Sequence, residues 1–443
     1  MKKKYFGTDG IRGTYNKFPM ISSFMFELTK SIKKTHKEIK KVLIGKDTRE
    51  SSDQIELDIS NGFERVNVDC YSCGIVSTPI LSFNTKKFKY DLGIMISASH
   101  NPYKDNGIKI FDSNGEKLSD KNELMIERNI ILNNKNNYSK NLIKKIDKLY
   151  YPQYENQLLK IFSNIKNFDK KIFLDCANGS LSFIAPEIFE KLNFNFSSFA
   201  NKPNGKNINK NCGATFPIEL SKNTLKNNAK IGIAFDGDAD RVIFCDEFGR
   251  IIDGDHILAA LAIFLKRKNK LKNNLIVTTK MSNLGFRKFL IQNHIKFFLS
   301  DVGDRYVVEK MREHNCNLGG EQSGHIIFSE NSFSGDGIFT ALLIIQILFE
   351  NDINISELCG NLFEKVPQQL VNLKLNRNPA EIINNKIIKR LEKETIKSVG
   401  CDILLRKSGT ENLLRLMVQA SSTDLVKKVI EEFIFEIKKL DEK

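Results

Sequence analysis

Ile231-Gly232-Ile233-Ala234-Phe235 runs straight into Asp236-Gly237-Asp238-Ala239-Asp240-Arg241. The five apolar residues read as a strand buried on both faces, and the acidic segment as the loop at its carboxyl end. Three aspartates at alternate positions converge when a tight loop turns their side chains inward, and Gly237 gives the backbone freedom for that turn. Like charges held so close repel, so the trio calls for a cation. Carboxylate oxygens suit Mg²⁺, which keeps open positions for water or phosphate. An EF-hand is excluded, because no glycine stands at the required position and no glutamate closes the loop. An acidic surface turn is the plain alternative.

Outward from this stretch the same grammar repeats. Lys41–Gly45 runs into Lys46-Asp-Thr-Arg49, Lys171–Asp175 into Cys176-Ala-Asn-Gly179, and Leu275–Thr279 into Lys280-Met-Ser-Asn283. Short β-branched runs that end in Gly, Asp or Asn before a helical pattern indicate β-α-β units, with ligands at the carboxyl ends of the strands. The pattern restarts near Lys41, Lys171 and Asn274 and changes near Val366. We therefore expect three similar α/β domains with mainly parallel mixed sheets, plus a small C-terminal α+β domain, around a central cleft. The expected spans are 1–150, 151–253, 254–365 and 366–443. In the last, strands at Leu370–Leu375, Ile403–Arg406 and Leu414–Ala420 accompany helices at Pro379–Lys393 and Thr423–Lys439.

Three further segments and the N-terminal region carry candidate chemistry. Ile96-Ser-Ala-Ser-His-Asn-Pro102 makes an exposed turn in which Ser99, beside His100, is a candidate nucleophile that needs a base or metal nearby. Lys109 is placed to return beside it and move a proton. Gly319-Gly-Glu-Gln-Ser-Gly-His325 offers Glu321, Ser323 and His325 to sugar hydroxyls, with glycines that let a ligand approach. Arg406-Lys-Ser-Gly-Thr-Glu-Asn412 with Arg415 combines two arginines, two hydroxyls and backbone N–H groups around Gly409 into an anion nest. Phe6-Gly-Thr-Asp-Gly-Ile-Arg-Gly13 adds Arg12 as a clamp for a phosphoryl oxygen. Taken singly, each also reads as an ordinary polar turn.

Composition narrows the class. Hydrophobic residues at 41% and charged residues at 27% are ordinary for a globular chain, and 443 residues exceed one core. The net charge of +15 comes from lysines spread along the chain, without a basic stripe interleaved with aromatics, so no nucleic-acid partner is expected. The apolar runs Ile257–Leu265 and Ala341–Phe349 fall short of the ~20 residues of a membrane span. Met1-Lys-Lys-Lys4 leads into no apolar run of signal-peptide length, so a cytoplasmic, membrane-free chain is expected. Of eight cysteines only Cys70 and Cys73 lie close, and no second pair completes a zinc site.

Taken together and in this order, S-A-S-H-N-P, D-G-D-A-D-R, G-E-Q-S-G-H and R-K-S-G-T-E resemble the α-D-phosphohexomutase superfamily from Tyr5 to Ala420. G-T-D-G-I-R-G at the N-terminal end, V-G-D-R-Y-V from Val302 and Gln322 bring it nearest to the members that act on hexosamine phosphates. The resemblance implies interconversion of glucosamine 6-phosphate and glucosamine 1-phosphate through a phosphorylated Ser99 and a bound 1,6-bisphosphate. It implies one Mg²⁺ per subunit, held by Asp236, Asp238, Asp240 and a phosphate oxygen on Ser99, and a sugar 1,6-bisphosphate as primer of Ser99. Arg12, His100 and Lys109 would assist catalysis. Arg241, Glu321, Ser323 and His325 would bind the sugar, and Arg406, Ser408, Gly409, Thr410 and Arg415 the phosphate that is not reacting. A monomer or homodimer is expected. Two departures stand out: Asn412 where relatives usually have proline, and the acidic Ser300-Asp301 before V-G-D-R. The rivals are a glucose- or mannose-phosphate mutase of the same superfamily, and an aspartyl-phosphate phosphatase with Asp236 as nucleophile.

Overall fold

A computed structural model describes residues 3–132, 144–145, 151–407 and 413–442. Their strands form four sheets in chain order. The first holds β1 (Ile11–Thr14), β2 (Lys41–Lys46), β3 (Asp69–Ile75), β4 (Leu92–Ile96), β5 (Asp105–Asp112) and β6 (Lys144–Lys145), ordered β1-β5-β4-β2-β3-β6. The second holds β7 (Ile172–Asp175), β8 (Phe196–Phe199), β9 (Ile231–Phe235), β10 (Val242–Asp246) and β11 (Ile251–Ile252), ordered β11-β10-β9-β7-β8. The third holds β12 (Leu275–Thr279), β13 (Lys296–Ser300), β14 (Leu318–Gly320) and β15 (Ile326–Phe328), ordered β13-β12-β14-β15. A fourth, wholly antiparallel sheet joins β16 (Gln368–Lys374), β17 (Asp402–Lys407) and β18 (Leu413–Gln419).

The first three sheets share one plan, a parallel centre with an antiparallel return at one side. β2 runs parallel to β3 and β4, β7 to β8 and β9, and β12 to β13 and β14. Then β4 turns into antiparallel β5, β9 into β10, and β14 into β15. This corrects one expectation. The loop after Phe235 leads back along the sheet and not into a helix, and the loop after Ile96 also leads back, in keeping with the expected return of Lys109 beside Ser99. Residues 97–104 and 236–241 are too few for a parallel crossover, which needs a dozen or more. The β4–β5 return pairs Met95 with Lys109 and so brings the lysine back beside the serine loop.

β4, β9 and β12 are buried along their whole length, as the apolar runs of β4 and β9 require, and in β12 burial extends past Leu275–Val277 to Thr278 and Thr279. One continuous core draws on all three units, with Leu43, Phe111, Leu174, Phe235, Ile276 and Ile338 among its members. The fourth sheet keeps a separate core around Leu414, Leu416, Val418 and Phe433. Three units thus share this apolar interior, although the first also keeps a core of its own around Phe24, Ile44 and Ile94, whereas among the described residues the fourth contributes no buried residue to the shared one. At the junction with the fourth unit Gln368 Nε2 donates to Met281 O (2.8 Å) and Arg287 pairs with Asp402 (2.8 Å).

The single helix expected from Pro379 to Lys393 is two, Pro379–Ile383 and Lys386–Val399. Asn385 ends the first turn of chain and caps the second helix, accepting from the Ile387 N–H, a position asparagine favours. No helix among the described residues is long and apolar enough to cross a membrane. All eight cysteines are free, and burial pushes the Cys70 thiol up to about 12.

Candidate active site

The serine loop is held by its backbone. Ser99 sits at φ +52°, a left-handed conformation that a serine keeps only when its surroundings enforce it. Its N–H donates to Ser97 Oγ (2.9 Å). Its carbonyl accepts from Arg49 Nη2 (2.9 Å) and from Asn209 Nδ2 (2.8 Å). Arg49 is fully buried and also donates to the carbonyls of Asn101, Pro102 and Asp105, while Asp47 balances its charge at 2.8 Å. With the backbone fixed, the Ser99 hydroxyl is free to donate to Asp236 Oδ2 at 2.6 Å.

That contact joins two hairpin loops from two sheets. Carboxylate oxygens of Asp236, Asp238 and Asp240 lie within 4.8 Å of one another, all buried. The close approach depends on Gly237, where a Cβ would stand 2.5 Å from Ser99 O. Burial, then the charges of Asp240 and Asp238, push the Asp236 carboxyl up to about 8. Lys109 Nζ lies 2.7 Å from Asp238 and 2.9 Å from Asp240. Burial works against its charge, but Asp238, Asp240 and Asp9 outweigh it and hold its pKa well above the usual lysine value. An ammonium already stands as a cation among these carboxylates, and the buried Asp238 Oδ1 has no hydrogen-bond partner. Both facts fit a divalent-cation site built of hard oxygen donors.

The rim of the loop is cationic. His100 Nδ1 lies 3.3 Å from Ser99 Oγ, and the Arg241 charge, then burial, then Arg12 drive its pKa down to about 2, so the imidazole is neutral. Arg12 pairs with Asp9 and reaches Asn101 Oδ1 at 3.4 Å. Asp9 also meets Lys109 (3.1 Å) and Lys117. Neither Asp9 nor Arg49 stood among the candidates from sequence. Asp9 lies inside the G-T-D-G-I-R-G stretch and Arg49 ends a quoted strand-to-loop run, so the positions were in view and only their partners were not.

The β14–β15 loop closes another wall. Glu321 accepts from the Gly303 N–H (2.8 Å) and from Ser323 Oγ (3.3 Å). His325 Nε2 accepts from the Gly335 N–H (3.1 Å), which places the ring proton on Nδ1, 3.5 Å from Asp240 Oδ1. Gln322 Nε2 donates to Gln368 Oε1 (2.9 Å) and Asp255 Oδ2 (3.3 Å). Backbone bonds stitch this loop to its neighbours, from Val242 N to Gly324 O and from Gly254 N to Gln322 O, each 3.0 Å. At Gly324, with φ +89°, a Cβ would lie 2.1 Å from Val242 O.

Arg406 and Arg415 face each other across β17 and β18, and each buries an Nε with no hydrogen-bond partner. Burial, then Arg415, lowers the Arg406 pKa. Two adjacent guanidinium groups with unused donors could hold an anion. Ser408, Gly409, Thr410 and Asn412 lie outside the described residues. The acidic Asp301 pairs with Lys280 at the surface (2.6 Å).

One cleft of about 890 Å³ gathers these walls. Arg12, His100, Asp240, Arg241, Glu321, Ser323, His325, Arg406 and Arg415 all line it. Ser99, only 1% exposed, stands directly behind His100.

Comparison with known proteins places the same architecture elsewhere. Four profiles of the phosphoglucomutase/phosphomannomutase family match in series, alpha/beta/alpha domain I at residues 3–138, domain II at 150–249, domain III at 253–366 and the C-terminal domain at 370–435. A phosphoglucosamine mutase of Caldicellulosiruptor saccharolyticus is 41% identical over 438 residues, 96% of each chain. One from Brucella anthropi is 39% identical over 445 residues, 98% of each chain. Among solved structures, a phosphoglucomutase/phosphomannomutase family protein of Burkholderia thailandensis superimposes with TM-score 0.78 at 20% identity, over 99% of this chain and 97% of that one. Aspergillus fumigatus N-acetylphosphoglucosamine mutase in complex with GlcNAc-6P and magnesium does so with TM-score 0.66 at 16% identity, over 100% and 96%.

Proposed function

Because the chain belongs to the phosphoglucomutase/phosphomannomutase family, we propose that it interconverts glucosamine 6-phosphate and glucosamine 1-phosphate through a phosphorylated Ser99. The observation that carries the reading is the Ser99 hydroxyl bonded to Asp236 in a buried three-carboxylate cluster, whose Asp240, with His100 next to Ser99, reaches the cleft that Arg406 and Arg415 also line. The relatives near 40% identity over nearly the whole chain bear the name of that activity.

Phospho-Ser99 gives its phosphoryl group to O1 of glucosamine 6-phosphate: the bond from phosphorus to O1 forms as that to Ser99 Oγ breaks, and the O1 proton ends on Ser99 Oγ. The 1,6-bisphosphate turns end for end, and its 6-phosphoryl returns to Ser99. Positioning and charge stabilisation dominate such transfers. A Mg²⁺ held by Asp236, Asp238 and Asp240, with an oxygen of phospho-Ser99, would supply much of that stabilisation. Arg49 and Asn209 hold the serine backbone still while its Oγ gains and loses phosphate. Arg12 and neutral His100 offer donors to the equatorial oxygens, and Lys109, kept as an ammonium by Asp238, Asp240 and Asp9, compensates the carboxylates and can give a proton but not take one. Arg406 and Arg415, joined by Ser408, Gly409 and Thr410, grip the phosphate that is not reacting. One such grip serves both orientations, because the intermediate presents each phosphate in turn. Arg241, Glu321, Ser323 and His325 take the sugar face. The separate core of the fourth unit suits a lid that opens for the sugar and closes over the intermediate.

Amide geometry favours an amino sugar. Met281 O accepts from Gln368 Nε2, which turns Gln368 Oε1 toward Gln322. Gln322 Nε2 is thereby the donor, and its Oε1 is left as an acceptor in the cleft. Asp236 is a poor rival nucleophile, since its oxygens accept from Ser99 and from the Arg241 N–H. A reducing, cytoplasmic setting suits eight free thiols. A monomer or homodimer primed by a sugar 1,6-bisphosphate completes the proposal. The test is production of glucosamine 1-phosphate from glucosamine 6-phosphate with Mg²⁺ and a trace of glucose 1,6-bisphosphate. Ser99→Ala should abolish turnover, and an active Ser99→Ala protein would refute the phosphoserine.

A further inference from the structure

Behind the cleft, charges alternate along one chain of side chains. Asp240 meets Lys109 (2.9 Å), Lys109 meets Asp9 (3.1 Å), Asp9 meets Lys117, and Lys117 meets Asp304. Asp304 Oδ2 ends 3.8 Å from His325 Nε2, and His325 Nδ1 lies 3.5 Å from Asp240 again. The circuit crosses all three α/β units. Asp9, Asp240, Asp304 and His325 line the cleft, and Lys117 stands behind them with 15% of its side chain exposed.

Lys117 is aimed by a hairpin. Its backbone bridges opposite Phe111 on β5, and Leu118 N–H donates to Ile110 O (3.1 Å). Lys109 lies two residues before Phe111, so both lysines leave the same face of this ribbon. One ammonium goes to Asp238 and Asp240, the other to Asp9 and Asp304. Each lysine thus spans two units, and Asp9 is shared between them.

We propose that Lys117 is a positioning residue for phosphoryl transfer, setting the serine side and the sugar side of the cleft from one point. On one side it holds Asp9, whose other oxygen orients Arg12 and Lys109. On the other it holds Asp304, and the neighbouring Gly303 N–H fixes Glu321 Oε1 at 2.8 Å. Without it Asp9 has one cation fewer and draws Lys109 away from Asp240, while the Gly303–Asp304 turn loses one of its anchors on the first unit and keeps only that of Arg305 on Asp120 and Glu123. The same loss of positive charge makes the three-aspartate cluster more attractive to a divalent cation. Lys117→Met therefore moves two properties in opposite directions, tighter metal binding and slower transfer, which simple loosening of the fold does not do.

The inference rests on the proposed mutase reaction, and the experiment separates the two. Mn²⁺ is titrated by electron paramagnetic resonance into full-length wild type, Lys117→Met, Lys117→Arg and Arg305→Met, and kcat and KM are measured on glucosamine 6-phosphate. Arg305→Met breaks an ion pair to Glu123 across the same boundary and serves as the control for loosening. Lys117→Met should bind Mn²⁺ about threefold or more tightly and lose about 10–100-fold in kcat, with KM changed less. Lys117→Arg should recover most of both, and Arg305→Met should leave Mn²⁺ affinity unchanged. Unchanged or weakened Mn²⁺ binding in Lys117→Met, or the same shift in Arg305→Met, would overturn the inference. If wild type fails to turn over glucosamine 6-phosphate, the substrate reading falls and the Mn²⁺ arm alone decides the role of Lys117.

Discussion

Arg49 donates from Nη2 to the carbonyl oxygen of Ser99 at 2.9 Å, although the two residues are fifty positions apart in the chain. Two more carbonyls of the same loop, and that of Asp105 at the start of β5, accept from this guanidinium, so one side chain defines where the Ser99 hydroxyl sits.

Replacing Arg49 by lysine removes the planar fork that reaches four carbonyls and leaves Asp47 with a poorer partner. Folding stability should fall by about 1.5–3 kcal/mol for each charge-assisted bond to a carbonyl that the lysine no longer makes. Turnover measured well below the lowered melting temperature should also fall. Urea titration and kcat on glucosamine 6-phosphate check both effects.

Asp236 gives the metal-free protein a pH signature. Its folded pKa, raised to about 8 by burial and by Asp240 and Asp238, exceeds its unfolded value near 4. Between those values the folded state binds more protons than the unfolded state, so stability falls as pH rises. Asp175 and Asp336 near 6, and Asp255 near 7, add slopes of the same sign lower in the range. Metal-free melting temperature should therefore drop from pH 5 toward pH 8, and Asp236→Asn should flatten the upper part. Mg²⁺ should restore stability at pH 8 more than at pH 5, because there it displaces fewer protons.

Arg406→Met or Arg415→Met removes charge-assisted bonds worth about 1.5–3 kcal/mol each, or about 10–100-fold in affinity. KM for glucosamine 6-phosphate should rise by that order, with a smaller change in kcat. Inorganic phosphate should lose inhibitory strength in parallel.

Gln322→Met deletes the acceptor that Gln368 and Asp255 orient. The preference for glucosamine 6-phosphate over glucose 6-phosphate, read as a ratio of kcat/KM, should shrink by about tenfold. Gln368→Leu should move it in the same direction by freeing the Gln322 amide.

Much of this arrangement was legible before any coordinates. The runs Ile231–Phe235 and Leu275–Thr279 are the observed strands, and the serine, aspartate and G-E-Q-S-G-H loops lie at strand ends. Apolar runs and punctuating glycines are local signals, and these elements follow from them. The return after Ile96 was legible in the expected approach of Lys109 to Ser99, whereas the antiparallel return after Phe235 was not, because β10 looks like any buried strand and its direction depends on loop length and partner. The roles of Arg49, Asp9, Lys117 and Asp304 were hidden for a similar reason. Their partners lie in other loops or other units, and spacing along the chain says nothing about which surfaces meet. Asn384-Asn385 could have announced the break in the Pro379–Lys393 stretch, since asparagine favours helix ends over interiors.

The central claim is that Ser99 carries the phosphoryl group that reaches the sugar. Enzyme labelled with ³²P by glucose 1,6-bisphosphate, freed of small molecules and mixed with excess glucosamine 6-phosphate in one turnover, tests it directly. The account predicts a label that survives mild base and hydroxylamine before mixing, as a phosphoserine does and an aspartyl phosphate does not, and transfer of the label to sugar phosphate after mixing, with none in Ser99→Ala. Label that stays on the protein, or leaves only as inorganic phosphate, would contradict it.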